Sequence, residues 1–183
     1  MEHLFLKFYG NFLTTCIKNL IYIILIATTL LGCQENNKTE TKSRICNKSF
    51  CEEGTLINGN KNGIWKRFDK NDNLIQINFY TKDTLNGPSV SFYDNGEIYN
   101  SANYKMDEFH GNVSLYYDNG NLNFSDNYIN GNKHGKSFFF DKEGWLKEIR
   151  SYHQGEKHGK HINLNKRQDT VEIKVFKLGK LIK

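Results

Sequence analysis

The sequence predicts an all-β protein, an elongated and twisted antiparallel sheet built from tandem β-hairpins of 24 residues each. Two periodicities carry that prediction. Glycine stands at Gly63, Gly87, Gly111, Gly135 and Gly159, every gap being 24 residues. At half that spacing a ring recurs, at Phe68, Tyr80, Phe92, Tyr104, Tyr116, Tyr128, Phe140, Tyr152 and Phe176, with Leu164 the single lapse. In addition, no segment after Gly63 sustains a 3.6-residue apolar period, so helices are not expected there. Repetition at a fixed period means one supersecondary unit stacked on itself, each copy burying its apolar face on its neighbours.

Residues 1–32 read as a signal peptide that precedes the fold. Lys7 and Lys18 are followed by a nearly unbroken apolar run from Leu20 to Leu31, a signal-core length and short for a bilayer span. The run ends Leu30-Leu31-Gly32-Cys33, which resembles the bacterial lipobox, where the cysteine becomes the acylated first residue after cleavage. A signal peptide cut elsewhere and an uncleaved anchor are the alternatives. Acylation of Cys33 predicts a lipid-anchored lipoprotein of the bacterial envelope, the outer membrane favoured over the inner.

Residues 33–53 read as the lipidated N-terminus and a flexible tether, because Gln34 to Ser49 is rich in Asn, Lys, Thr and Glu. Cys16 departs with the signal peptide and Cys33 carries lipid, so Cys46 and Cys51 remain as a pair. In an oxidising envelope compartment a disulfide is the natural reading; free thiols and a metal site are the alternatives. The bond would close a small loop worth roughly 2 kcal/mol.

Residues 54–183 read as five copies of the hairpin. In the third, Gly111 opens one strand, Asp118-Asn119-Gly120 turns the chain, Leu122 to Tyr128 returns, and Ile129-Asn130-Gly131 turns it again. Asp-Asn-Gly between apolar runs is a strong hairpin signal, because Gly and sometimes Asn accept the positive φ that tight turns need. Gly96 and Gly144 occupy the position of Gly120, and Asp72 and Gln168 replace it in the outer copies. Two residues on come Leu74, Ile98, Leu122, Leu146 and Thr170. Pro88 sits at a strand start, where its missing N–H is tolerated.

These residues resemble the bacterial variant of the MORN repeat, the group often labelled YwqK-type antitoxins. The likeness is clearest in Tyr116-Tyr-Asp-Asn-Gly-Asn-Leu122 and in Tyr128-Ile-Asn-Gly-Asn-Lys-His-Gly135. It covers about residues 54 to 183, and the fifth copy is degenerate at Gln168 and Thr170. The resemblance implies an elongated, twisted antiparallel sheet that serves interaction, and a neutralising antitoxin or immunity role as an alternative. It supplies no catalytic residues.

Alternation along strands predicts which side chains share a face. One row is expected to hold Phe68, Leu74, Phe92, Ile98, Tyr116, Leu122, Phe140 and Leu146, and another Tyr80, Val90, Tyr104, Tyr128, Phe138, Tyr152, Ile162 and Phe176. Both rows are expected on one apolar face, with Arg67, Ser91, Asn123 and Lys147 on a polar one. Phe92, Tyr116 and Phe140 are expected to be buried.

Little in the sequence points to chemistry. Pairs such as Gly131/Gly135 resemble phosphate loops only superficially, since no helix follows to hold a phosphate. General acid–base work needs two carboxylates converging on one pocket, and a 24-residue repeat keeps Asp94, Asp118 and Asp141 apart. His110, His134 and His158 hold equivalent positions about 9–10 Å apart, too far for one metal; His153, His158 and His161 are the nearest to a metal set. No nucleophile–base arrangement can be placed together, so neither enzyme activity nor a cofactor is expected.

Charge is uneven: residues 33–132 carry a net −3 and residues 133–183 a net +7. Lys133, Lys136, Lys157 and Lys160 are therefore candidate contacts for an anionic protein face or acidic lipid headgroups. Nucleic acid is excluded by the envelope location. The preferred function is a lipid-anchored, non-enzymatic protein-binding scaffold.

Overall fold

The computed structural model describes residues 38–183, so the expected signal peptide and Cys33 lie outside the described residues. One antiparallel sheet contains every strand. The strands are β1 (Glu40–Cys46), β2 (Phe50–Ile57), β3 (Asn60–Asp69), β4 (Leu74–Thr81), β5 (Thr84–Phe92), β6 (Ile98–Lys105), β7 (Glu108–Tyr116), β8 (Leu122–Ile129), β9 (Asn132–Lys133), β10 (Gly135–Phe140), β11 (Leu146–His153), β12 (Glu156–Lys157), β13 (Gly159–Leu164), β14 (Thr170–Lys177) and β15 (Lys180–Leu181). Each pairs with the next in sequence, except that β9 and β12 are short lead-ins to β10 and β13. Among the described residues there is no helix.

Two turn types alternate. At the Asp-Asn-Gly tips, Tyr117 N–H donates to the Asn121 carbonyl (2.8 Å) and Gly120 N–H to the Tyr117 carbonyl (3.0 Å). The position of Gly120 has a φ of 82°, and Asp72 (66°) and Gln168 (70°) adopt it in the outer copies at a steric cost glycine lacks. The opposite turns have two central residues at positive φ, as in Asn130 (47°) and Gly131 (75°), or Met106 (52°) and Asp107 (65°). Paired positive φ values are the type I′ pattern that matches strand twist.

Each tip is followed by a one-residue bulge, and this corrects the face assignment. Ser91 opposes Asn100 and Phe92 opposes Ile98, which leaves Tyr99 unopposed. The same shift leaves Ile75, Asn123, Lys147 and Val171 unopposed. A one-residue insertion exchanges the faces of everything beyond it. Phe92 and Ile98 therefore share one face with Val90, whereas Tyr104 lies on the other. The second expected row is split: Tyr80, Tyr104, Tyr128, Tyr152 and Phe176 lie on the side opposite Phe68, Phe92, Tyr116 and Phe140, whereas Val90, Phe138 and Ile162 join those residues. Arg67 and Ser91 lie on the same side as Tyr80 and Tyr104.

We call the tyrosine side the inner face. Its central row runs Gly54, Trp65, Asn78, Ser89, Ala102, Val113 and Asp126, each directly opposite the next. Ser137, Arg150 and His161 continue it in the last strands. Seven of the eight fully buried described residues belong to this row, and only Trp65 and Ala102 among them are apolar. The outer row starts charged (Arg44, Glu53 and Lys66), is apolar at Ile77 and Val90 and again at Phe138, Ile149 and Ile162, and carries Ser101, Ser114 and Ser125 between. Phe92, Tyr116 and Phe140 are half-buried rather than buried, because among the described residues no second layer covers them.

The repeat domain also starts earlier than its period. β1 and β2 place residues 40–53 in the sheet, so the tether does not extend through them. β1 (Glu-Thr-Lys-Ser-Arg-Ile-Cys) has almost no apolar signal. It is held instead by pairing along its whole length and by the turn that closes it. Cys46 and Cys51 are opposed there and joined by a disulfide, and the Asn47 side chain accepts from the Ser49 and Phe50 amides (2.8 and 2.9 Å).

Candidate binding face

The inner face carries ordered rings and internal ion pairs. Along one margin, directly opposed pairs form a rail: Tyr80 with Leu85, Tyr104 with Phe109, Tyr128 with Lys133, Tyr152 with Lys157 and Phe176 with Leu181. The periodic glycine sits across from the ring of the following strand, as Gly111 does from Tyr128. Its φ of 89° explains the residue choice. Rings stack along the rail, Phe109 lying 4.8 Å from Tyr104 and 5.2 Å from Tyr128 between centroids.

Three charged clusters are set into this face. Near its start, Glu52 accepts from Arg67 Nε (2.9 Å) and Nη2 (2.7 Å) and pairs with Lys61 Nζ (2.5 Å), which also lies over the rings of Trp65 and Tyr80. Burial alone would raise the Glu52 carboxyl, but the bonds from Lys61 and Arg67 outweigh it and hold it below the usual carboxylate range.

In the middle, Asp126 is 2% exposed and pairs with Lys133 Nζ at 2.7 Å, while its Oδ1 has no hydrogen-bond partner among the described residues. Burial opposes the Lys133 charge, yet the bond from Asp126 prevails and raises this lysine above its ordinary value. Lys133 is therefore engaged in an internal pair. This pair is not legible in the sequence, because Asp126 stands where the preceding copy has Ala102 and only the register brings it beside Lys133.

Near the end, Arg150 grips Glu148 through Nε (2.7 Å) and Nη2 (2.6 Å) and lies over Phe139. The bond to Glu148 raises the guanidinium further. Buried His161 donates from Nε2 to the Ser151 carbonyl (3.1 Å) and packs against Phe176 and Tyr152. Burial pushes its imidazole below the usual histidine range.

The four candidate lysines do not form one patch. Lys133 and Lys157 oppose Tyr128 and Tyr152 on the inner face, whereas Lys136 and Lys160 oppose Ser151 and Val175 on the outer. The histidines regroup too: His153 lies 5.1 Å from His134 and 5.7 Å from His158 between ring centroids, and His161 stays with Phe176. Among the described residues no three His, Cys, Asp or Glu side chains come together to hold a metal.

The hairpin tips are cross-braced from copy to copy. Tyr93 Oη donates to the Tyr116 carbonyl (2.7 Å) and Tyr117 Oη to that of Phe140 (3.0 Å). Asn95 and Asn119 side chains donate to the Asp118 and Lys142 carbonyls, each at 2.9 Å. Asp118 pairs with Lys142 at 2.7 Å, and Glu143 with Lys166.

Residues 61–82, 85–106, 109–130 and 133–154 match a family model described as MORN repeat variant. No curated protein matches the chain. Each matched segment is one hairpin with its Asp-Asn-Gly-type tip, residues 109–130 being β7, the tip and β8. The β13–β14 hairpin continues the sheet beyond the matched segments. Four tandem matches between residues 61 and 154, and the hairpin sheet they form, show that the chain carries an array of repeats of the MORN repeat variant kind.

Proposed function

We propose that the protein is a lipid-anchored, non-enzymatic scaffold of the bacterial envelope that binds a protein partner on its repeat sheet. The observation that carries this reading is the single open layer. Among the described residues neither face is covered by a second layer, while internal pairs and cross-braced tips hold the rings and charges of the inner face and the hairpin tips in fixed positions. Such a surface is pre-organised for contact, so little side-chain entropy is lost on binding.

Leu30-Leu31-Gly32-Cys33 supports the anchor. Because β1 begins at Glu40, only residues 34–39 separate Cys33 from the sheet. Six residues span at most about 20 Å, which keeps the scaffold close to the membrane.

The test is affinity capture of the protein from envelope membranes, beside fractionation of Cys33→Ser. The reading expects a reproducible protein partner and release, or failed processing, of the variant. A variant that matures and fractionates unchanged sinks the anchor, and capture that matches an unrelated lipoprotein control sinks the scaffold. A toxin as the captured protein would make the scaffold a neutralising one, as the YwqK-type resemblance implies.

A further inference from the structure

We propose that the hollow between the second and third hairpin tips, formed by Phe92, Tyr93, Asp94, Asn95, Tyr99 and Asp118, takes a lysine or arginine side chain from the protein partner. The inference rests on the protein-binding reading and names where and how binding occurs. The hollow has a volume of about 450 Å³ and opens at the sheet edge.

Its walls are rings and its rim is acidic. Tyr93 and Tyr99 meet edge to face at 5.0 Å between centroids. Tyr93 is fixed by its bond to the Tyr116 carbonyl, and Tyr99 is the unopposed residue of its bulge, turned out and exposed. Aromatic faces beside carboxylates recognise an alkylammonium or guanidinium, through ring quadrupole and charge together.

The chain itself shows the missing half of the contact. At the tips, the acid of one copy is paired by a lysine of the next: Asp118 by Lys142 and Glu143 by Lys166. Lys142 is raised above ordinary lysine chiefly by its bond to Asp118, and Tyr93 and Tyr117 add to the effect. One step earlier the rule breaks. The position that would supply a lysine to Asp94 is Asp118, and Asp94 has no ion pair among the described residues. Glu97, 3.2 Å from the point where a Cβ on Gly120 would stand, adds a third carboxylate to the same edge. An incoming cation would do for Asp94 what Lys142 does for Asp118.

The test is a two-dimensional NMR titration of the purified protein with three capped tripeptides, Gly-Lys-Gly, Gly-Arg-Gly and Gly-Gln-Gly. The lysine and arginine peptides should give saturable shifts confined to residues 92–99 and 118, and the glutamine peptide none. Asp94→Asn and Tyr99→Ala should each weaken binding at least about fivefold. Asp94→Asn should leave the melting temperature unchanged, since among the described residues that carboxylate makes no hydrogen bond or ion pair. Equal shifts from the glutamine peptide, or affinity indifferent to Asp94→Asn, would overturn the site. The two readings fail separately. A captured partner that binds Asp94→Asn and Tyr99→Ala as well as wild type keeps the scaffold and overturns the hollow; a peptide that binds here while capture returns nothing keeps the hollow and sinks the scaffold.

Discussion

Gly54 lies directly opposite Trp65, and a Cβ built on it would stand 2.5 Å from the indole ring. Trp65 is 1% exposed and donates its indole N–H to the Thr55 carbonyl (3.1 Å), so the ring is held and cannot step aside. It is the one large apolar side chain fully buried among the described residues. Gly54→Ala should therefore cost about 1–3 kcal/mol by overpacking. Chemical denaturation would show it, and a variant as stable as wild type would mean the indole is free to move.

The two outer tips offer a test with opposite sign. Gln168 holds a φ of 70° that glycine adopts without strain. Gln168→Gly should stabilise the protein by up to about 1 kcal/mol, the relief of left-handed strain exceeding the added freedom of the unfolded chain. Asp72→Gly should gain less, because the Asp72 carboxylate also pairs with Arg44. Melting of both variants decides it; destabilisation by Gln168→Gly is the contrary result.

Much of this was legible in the sequence, and the remainder has a definite physical reason. Turn positions and strand order follow from Gly96, Gly120 and Gly144 and from the rings at half-period. Which face a ring takes depends on the bulges at Tyr99 and its equivalents, which leave the 24-residue period intact and so do not show in it. β1 was missed because its seven residues alternate without apolar contrast and its order comes from pairing with β2. The inner-face clusters depend on register between strands, as Asp126 with Lys133 shows.

That pair makes a third prediction. Lys133→Met would leave Asp126 buried and without its cation, at a cost of about 3 kcal/mol or more. Replacing both, as Asp126→Leu with Lys133→Met, should recover much of the loss, since no charge is then stranded. Equal stability of the single and double variants would contradict the pairing. For wild type, the raised Lys133 contributes stability that is intact below the ordinary lysine value and is lost as pH rises through its higher folded value.

His161 sets the acid side. Its folded pKa is depressed by burial, so the unfolded chain binds the proton more readily. Stability is complete above the ordinary histidine value of about 6.5 and falls as pH drops from there towards the folded value. His161→Gln should flatten that slope in melts between about pH 7 and pH 5. A slope that survives the substitution belongs to other groups.

The central claim, that the open repeat sheet presents a surface to a protein partner, is tested most directly by photo-cross-linking in intact cells. A photoreactive residue would be placed in turn at Tyr99 on the hairpin edge and at Lys157 on the inner face, both exposed. The account predicts a discrete protein adduct of fixed mass from Tyr99, lost when Asp94→Asn is added. The absence of any discrete adduct from both positions would contradict it.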